Sequence, residues 1–189
     1  LSKYPAYRLA EMGIMHVPEG RRVFATLSVE ENLNLGAWSV RGKLPQNELQ
    51  KSMEWVYTLF PMLKKRRKQL AGTLSGGNIQ KLILARELSH GPRVVIFHKP
   101  TYGLDLKTVS RVREAVREFA RGGGAALLIS TDLDELAELS DRIAVMSHGR
   151  LIGEVANDGD RVVERVGEIM VGAPNPGAGT PEHGSGGGR

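Results

Sequence analysis

Apolar and polar positions along the chain follow two periods. Between residues 76 and 89, Ile79, Leu82, Ile83 and Leu88 recur at helical spacing, as on one buried face of a helix. Residues 94–97 and 125–129 are instead unbroken apolar runs, the pattern of short strands covered on both faces. A further short strand is predicted over 14–17, closed by Pro18. Ser28-Val29-Glu30-Glu31 is a capping-box pattern that opens a helix reaching to about Ala37. Other helices are predicted over 5–12, ended by Gly13, and over 46–60, stopped by Pro61. The remaining ones are 106–121, ended by Gly122-Gly123-Gly124, then 133–139 and 162–171. Residues 143–146 and 151–155 flank His148-Gly149 and predict a hairpin.

In the second half, strand and helix alternate. That order predicts an α/β fold in which helices pack on a parallel sheet. Residues 28–68 carry helical patterns and no strand, so they read as a helical insert. Residues 172–189 are rich in Gly and Pro with almost no large apolar side chain. Such a tail buries too little to offset its ordering entropy and is expected to be disordered.

Composition narrows the function classes. The 189 residues are 41% hydrophobic and 25% charged, a globular balance that excludes collagen, coiled coil and a largely disordered chain. No apolar run approaches the roughly 20 residues of a membrane helix. With no cysteine, disulfides, thiolate zinc sites and cysteine nucleophiles are excluded. His16, His90 and His148 lack metal-ligand spacing, and no metal site is expected on this chain's own residues. The formal charge of +5 equals the run Lys64-Lys65-Arg66-Arg67-Lys68. A nucleic-acid protein spreads basic residues over a face; a single run reads first as a solvated loop or helix end. Contact with anionic lipid or an acidic partner is the sharper alternative for that run.

The densest local chemistry is Leu74-Ser75-Gly76-Gly77-Asn78-Ile79-Gln80-Lys81. The first turn of a helix has unpaired N–H groups and a positive dipole end, which attract phosphate. Glycines there allow close approach to the backbone, and a serine adds a hydroxyl donor. The same pattern serves more often as a plain helix cap.

Further motifs stand at fixed distances from this one. Arg86 comes twelve residues after Leu74, within Ala85-Arg86-Glu87-Leu88, and His98 comes twenty-four after it. Pro100-Thr101-Tyr102-Gly103-Leu104-Asp105 is the next segment. This series resembles the signature, Walker B and D-loop segments of the nucleotide-binding domain of ABC transporters. Gly13 to Glu19 resembles the family's Q-loop region, Leu127 to Asp132 its switch strand, and Asp141 to Arg150 its closing hairpin. The segment Val17 to Phe24 is similar to branched-chain amino-acid importers. Leu74 to Val155 is more similar to the second ATPase half of nucleoside or simple-sugar importers, and that class is favoured.

The resemblance implies a partial P-loop NTPase fold. Residues 1–27 would end one part of a RecA-like core, 28–92 form the helical subdomain with the signature, and 93–171 supply Walker B, D-loop and switch region. It also implies ATP and Mg²⁺, held mainly by a second ABC ATPase domain. Leu74, Ser75, Gly76, Gly77, Asn78 and Gln80 would face that nucleotide in trans, with Gly103, Leu104 and Asp105 as the D-loop. Transmembrane permease subunits, and through them a solute-binding protein, are the other implied partners, at the inner face of the cell membrane. Nucleic acid is not. The implied function is the ATP-binding subunit of an importer; a non-catalytic regulatory module and a soluble ABC protein acting on nucleic acid are the alternatives.

Departures from the family pattern bear on activity. No Gly-x-x-x-x-Gly-Lys-[Ser/Thr] occurs in the chain, so it lacks the loop that cradles β and γ phosphates. The chain is therefore expected to be a C-terminal part of an ATPase domain. The Walker B aspartate position, which would hold the magnesium water shell, is His98. The following glutamate position is Lys99, and a lysine is an ammonium at neutral pH rather than a base. The switch histidine position is Thr131, which serves equally as a cap for the helix after it. Glu19 stands at the Q-loop glutamine. No catalytic group of the own site is intact, and impaired hydrolysis there is expected. Trp38, Trp55, Tyr57 and Phe60 offer an apolar face on the insert, either for internal packing or for a helix of a membrane subunit.

Overall fold

The computed structural model describes residues 3–20, 22–37, 45–89 and 91–172. The predicted tail beyond 172, Trp38 and His90 lie outside the described residues. The chain divides into two compact units, Leu1–Thr131 and Asp132–Arg189.

The first unit is built on a parallel sheet of β1 (Ile14–Val17), β2 (Val94–His98) and β3 (Ala125–Ile129), in that order. Val17 pairs with Phe97, and His98 pairs with Ile129. Helix α1 (Ala6–Glu11) leads into β1 through Gly13, whose φ of 80° is a left-handed turn that glycine adopts without strain. Val17, Val95 and Phe97 are fully buried on one face of the sheet. Helix α6 (Leu106–Arg121) covers it, with the Phe119 ring edge-on to Phe97 at 6.3 Å. A methyl at Gly124 would stand 2.3 Å from that Phe119 ring, so the turn into β3 requires glycine.

The strand β3 departs from its apolar pattern. Leu127 is 54% and Ile129 46% exposed. Among the described residues β3 pairs only with β2, so its outer edge and part of both faces meet solvent.

The helical segment holds α2 (Val29–Gly36), α3 (Gln46–Leu59), α4 (Pro61–Lys65) and α5 (Gly76–Leu88). Pro61 does not merely stop α3. It sits at the first position of α4, where its missing N–H costs nothing. Tyr57 and Phe60 are buried while Trp55 remains 38% exposed, so this part of the aromatic face serves internal packing. Lys64 and Lys65 end α4, and Lys64 pairs with Glu54 at 2.8 Å in an exposed bridge.

The capping box at Ser28 forms as its sequence pattern predicts. Its hydroxyl accepts from the Glu31 N–H at 3.2 Å, and Glu31 Oε2 accepts from the Ser28 N–H at 2.7 Å. The next two amides of α2, Val29 and Glu30, donate to the carbonyls of Gln69 and Arg67. All first-turn donors of this helix are thus occupied. Ser28→Ala is expected to lower stability by about 1 kcal/mol, read as a shifted urea midpoint with unchanged slope.

The second unit contains α7 (Leu133–Leu139), the antiparallel pair β4 (Arg142–Ser147) and β5 (Arg150–Ala156), and α8 (Val162–Met170). Ile143, Val155, Val162, Val166 and Ile169 form its core, with Leu133 and Leu136 against it. A methyl at Gly153 would meet Ile169 at 2.8 Å, so glycine lets α8 close on the hairpin. Asn157 Nδ2 donates to the carbonyls of Ala137 and Ser140 and seals the end of α7. No helix among the described residues is long and apolar enough to cross a membrane.

Candidate functional site

Two groups of predicted site residues emerge, both in the first unit. The first surrounds the start of α5. Ser75 occupies the position before the helix with extended backbone, φ −64° and ψ 157°. Its hydroxyl makes no capping bond; its carbonyl accepts from the amides of Asn78 and Ile79 at 2.9 Å. The Gly76 and Gly77 amides have no acceptor among the described residues, as the first turn of a helix leaves them. Ser75 and Gly76 are exposed, Gly77 and Asn78 half-buried, and Leu74 anchors the turn in the core. Gln80 is 7% exposed, and its Nε2 finds no partner.

The tertiary fold brings the 103–105 turn to this helix start. A methyl on Gly77 would lie 3.7 Å from Asp105 Oδ2 and 3.8 Å from Leu104 Cδ2. Asp105 caps α6: the Thr108 hydroxyl donates to Oδ2 at 2.7 Å and the Thr108 amide to Oδ1 at 3.0 Å. These bonds hold the Asp105 carboxyl below the usual carboxylate range. Lys81, one turn into α5, has no role that its sequence position alone announces. Partial burial pushes its ammonium below the ordinary lysine range; Asp105 opposes that shift, and Arg111 and Lys107 add to it.

The second group lies at the carboxyl ends of β1 and β2, where ligands of open α/β sheets bind. Because Val17 pairs with Phe97, the chain after β1 runs beside the chain after β2. Glu19 Oε2 stands 3.7 Å from His98 Nε2 and 3.6 Å from Lys99 Nζ. The rings of His16 and His98 stack with centroids 6.5 Å apart, and Lys99 Nζ lies 5.6 Å from the Tyr102 ring centroid. Lys99 has φ 46°, a left-handed conformation that costs a non-glycine residue about 1–3 kcal/mol. Its amide is pinned to the Ile129 carbonyl at 2.8 Å. Spacing along the chain gave no sign that Glu19 and Lys99 meet; the parallel register is what joins them.

Thr131 is exposed beyond the end of β3. It does not cap the following helix. Asp132 does so, accepting from the Glu135 amide at 3.0 Å, because its carboxylate reaches the third amide of α7.

The match to known families decides the assignment. The family model for ABC transporters matches residues 3–102, more than half of the chain. The chain belongs to the ABC transporter family. A branched-chain amino acid transport ATP-binding protein of Pseudomonas aeruginosa is 34% identical over 148 residues, covering 78% of this chain and 62% of that protein. A ribose import ATP-binding protein of Streptomyces avermitilis is 37% identical over 150 residues, 76% of this chain and 30% of the relative. A guanosine import ATP-binding protein of Bacillus subtilis is 33% identical over 180 residues, 91% and 35% respectively. The chain thus spans less than two thirds of the length of these relatives. Among solved structures, an ATP-binding subunit of an ABC transporter aligns with a TM-score of 0.75 at 21% identity, over 90% of this chain and 73% of that one. The α/β fold is that of an ABC ATPase.

Magnesium is the metal this family implies, and the donor chemistry at β2 does not suit it. Mg²⁺ demands oxygen ligands in near-octahedral array. The ends of β1 and β2 present an imidazole, an ammonium and one carboxylate that already lies between them. No group of three His, Asp or Glu among the described residues is placed to hold a metal ion.

Proposed function

We propose that this chain is an ATP-binding part of an ABC importer and presents Ser75, Gly76 and Gly77 to a triphosphate held by a second ABC ATPase domain. Leu74, Asn78 and Gln80 shape that helix start, and Gly103, Leu104 and Asp105 brace it from below. ATP and Mg²⁺ sit mainly on the partner domain. Permease subunits, served by a solute-binding protein, carry the solute, and the chain works at the cytoplasmic face of the cell membrane. The names of its relatives, which concern branched-chain amino acids, ribose and guanosine, support uptake of a small polar solute.

One observation carries this reading. Among the described residues, the hydroxyl of Ser75 and the amides of Gly76 and Gly77 are donors without acceptors, at the positive end of a 13-residue helix. The starts of α1, α3, α4 and α8 also have no side-chain cap; what marks α5 is the serine followed by two glycines at its start. His98 and Lys99 at the end of β2 favour a half that turns over no nucleotide itself, so hydrolysis belongs to the partner's site. Glu19 is then a residue of the idle site rather than a magnesium contact.

Ser75→Cys tests the reading: this chain has no other cysteine, and labelling is read on this chain after the subunits are separated. In the assembled importer, ATP is expected to shield the introduced thiol from maleimide, and nucleotide-free protein to label fast. Equal labelling in both states would refute the trans contact.

A further inference from the structure

The run Lys64-Lys65-Arg66-Arg67-Lys68 has no part in the helix start of α5 or in the strand ends of the sheet. All five side chains are exposed. Lys64 is paired with Glu54 at 2.8 Å, and the other four make no hydrogen bond or ion pair among the described residues. We infer that Lys65, Arg66, Arg67 and Lys68 dock the chain on the anionic headgroups of a phospholipid bilayer.

Three observations support it. First, the charge is concentrated. The chain has 26 basic and 21 acidic residues, so the run alone accounts for its positive excess. Second, local structure does not consume that charge. A helix end attracts cations only over its last turn; α4 ends at Lys65, and Arg66 to Lys68 lie beyond it. Glu30, whose amide donates to the Arg67 carbonyl at 3.0 Å, makes no ion pair with the run among the described residues. Like charges held in succession repel one another, and an anionic surface offsets that repulsion. Third, the run is held in place. Leu63 is fully buried at its start. At its end the carbonyls of Arg67 and Gln69 accept from the Glu30 and Val29 amides at 3.0 and 2.9 Å, and the Ala71 amide donates to the Leu27 carbonyl at 2.9 Å. Binding therefore orders side chains but little backbone.

The form of the patch selects the partner. Single-stranded nucleic acid is held by aromatic rings set among cations, and the run contains none. An acidic protein segment offers carboxylates at fixed positions. Long exposed side chains on one turn fit instead a fluid layer of many headgroups, which needs no matched geometry. Leu70, 51% exposed, follows two residues on and suits the apolar boundary beneath those headgroups.

Co-sedimentation of the full 189-residue chain with vesicles tests this. Vesicles of phosphatidylglycerol in phosphatidylcholine, about one to two, are expected to bind the chain, and pure phosphatidylcholine is not. Raising NaCl from about 0.1 to about 1 M shortens the Debye length from about 10 to about 3 Å and is expected to release it. Each basic residue near such a surface contributes about fivefold. The combined variant Lys65→Gln, Arg66→Gln, Arg67→Gln, Lys68→Gln is therefore expected to lower the partition coefficient at least about 100-fold. The variant Lys3→Gln, Arg22→Gln, Arg93→Gln, Arg150→Gln removes the same charge at other exposed positions. It is expected to cost less than about fivefold, because charges beyond a Debye length from the surface are screened. Glycerol phosphate at the headgroup concentration is expected not to displace the chain. No binding to anionic vesicles, equal binding to neutral ones, equal losses in the two variants, displacement by glycerol phosphate, or tighter binding to polyglutamate or single-stranded RNA than to vesicles would each overturn the inference. Maleimide labelling at position 75 is a separate readout, so this surface and the trans contact fail independently.

Discussion

Asn32→Ala is expected to destabilise the first unit by about 3 kcal/mol, a large share of the 5–15 kcal/mol typical of a domain. Asn32 is fully buried on α2. Its Oδ1 accepts from the Phe24 amide at 2.9 Å, and its Nδ2 donates to the carbonyls of Ser28 at 2.9 Å, Phe24 at 3.0 Å and Leu27 at 3.4 Å. One side chain thereby closes the backbone of the segment leading into α2. Alanine leaves the Phe24 amide without its acceptor, while the carbonyls of Phe24, Leu27 and Ser28 keep the amides of Leu27, Ala71 and residue 32; a buried donor left unpaired costs about 1–3 kcal/mol where water cannot replace the bond, and the loss of the three Nδ2 bonds adds to it. The better helix propensity of alanine returns only about 0.5 kcal/mol. Asn32→Asp is expected to be no milder, since a carboxylate keeps the acceptor, loses both donors and buries a charge. Urea unfolding measures the loss, and hydrogen exchange locates it: the Phe24 amide is expected to lose protection first. A change under about 1 kcal/mol would mean that water or a shifted loop satisfies these groups.

Ser75→Arg is expected to reduce ATP hydrolysis by the assembled importer at least about 100-fold, the scale of losing a preorganised donor to a developing phosphate charge. Arginine removes the hydroxyl, fills the open approach to Gly76 and Gly77, and places a cation against the positive helix end. Misfolding does not account for such a loss. Ser75 makes no side-chain cap bond and is exposed, so substitution is expected to change stability by no more than about 0.5 kcal/mol. The pair of measurements is therefore diagnostic: hydrolysis collapses while the thermal midpoint holds. Full hydrolysis in the variant would remove the trans role from this helix.

Local rules account for much of the architecture. The bounds of β1, α6 and α7 are those the patterns predict, because Pro18, the triple glycine after Arg121 and the acidic start of α7 act within a few residues. The capping box at Ser28 is likewise local, and so is the helix start at Gly76. Two expectations, for β3 and for Thr131, changed in three dimensions, and one open alternative, at Tyr57 and Phe60, was decided for internal packing. The strand β3 is half open because burial depends on what lies beside a strand, which its own apolar run does not encode. Tyr57 and Phe60 turned inward because α3 and α4 fold against each other at Pro61. Thr131 lost the cap of α7 to Asp132, one residue on, whose carboxylate reaches the amide.

The amino-acid order alone was enough for the α/β class, the helical pattern of residues 28–68 and the Ser-Gly-Gly helix start. Those features rest on composition, period and neighbours a few residues away. Folding in three dimensions was needed to show that Glu19 lies against His98 and Lys99, that Gly77 rests on Asp105, and that Asn32 closes the loop before α2. Each of these joins segments whose pairing is set by strand register or by helix packing. Register and packing follow from the burial of many side chains at once, so no single motif announces them.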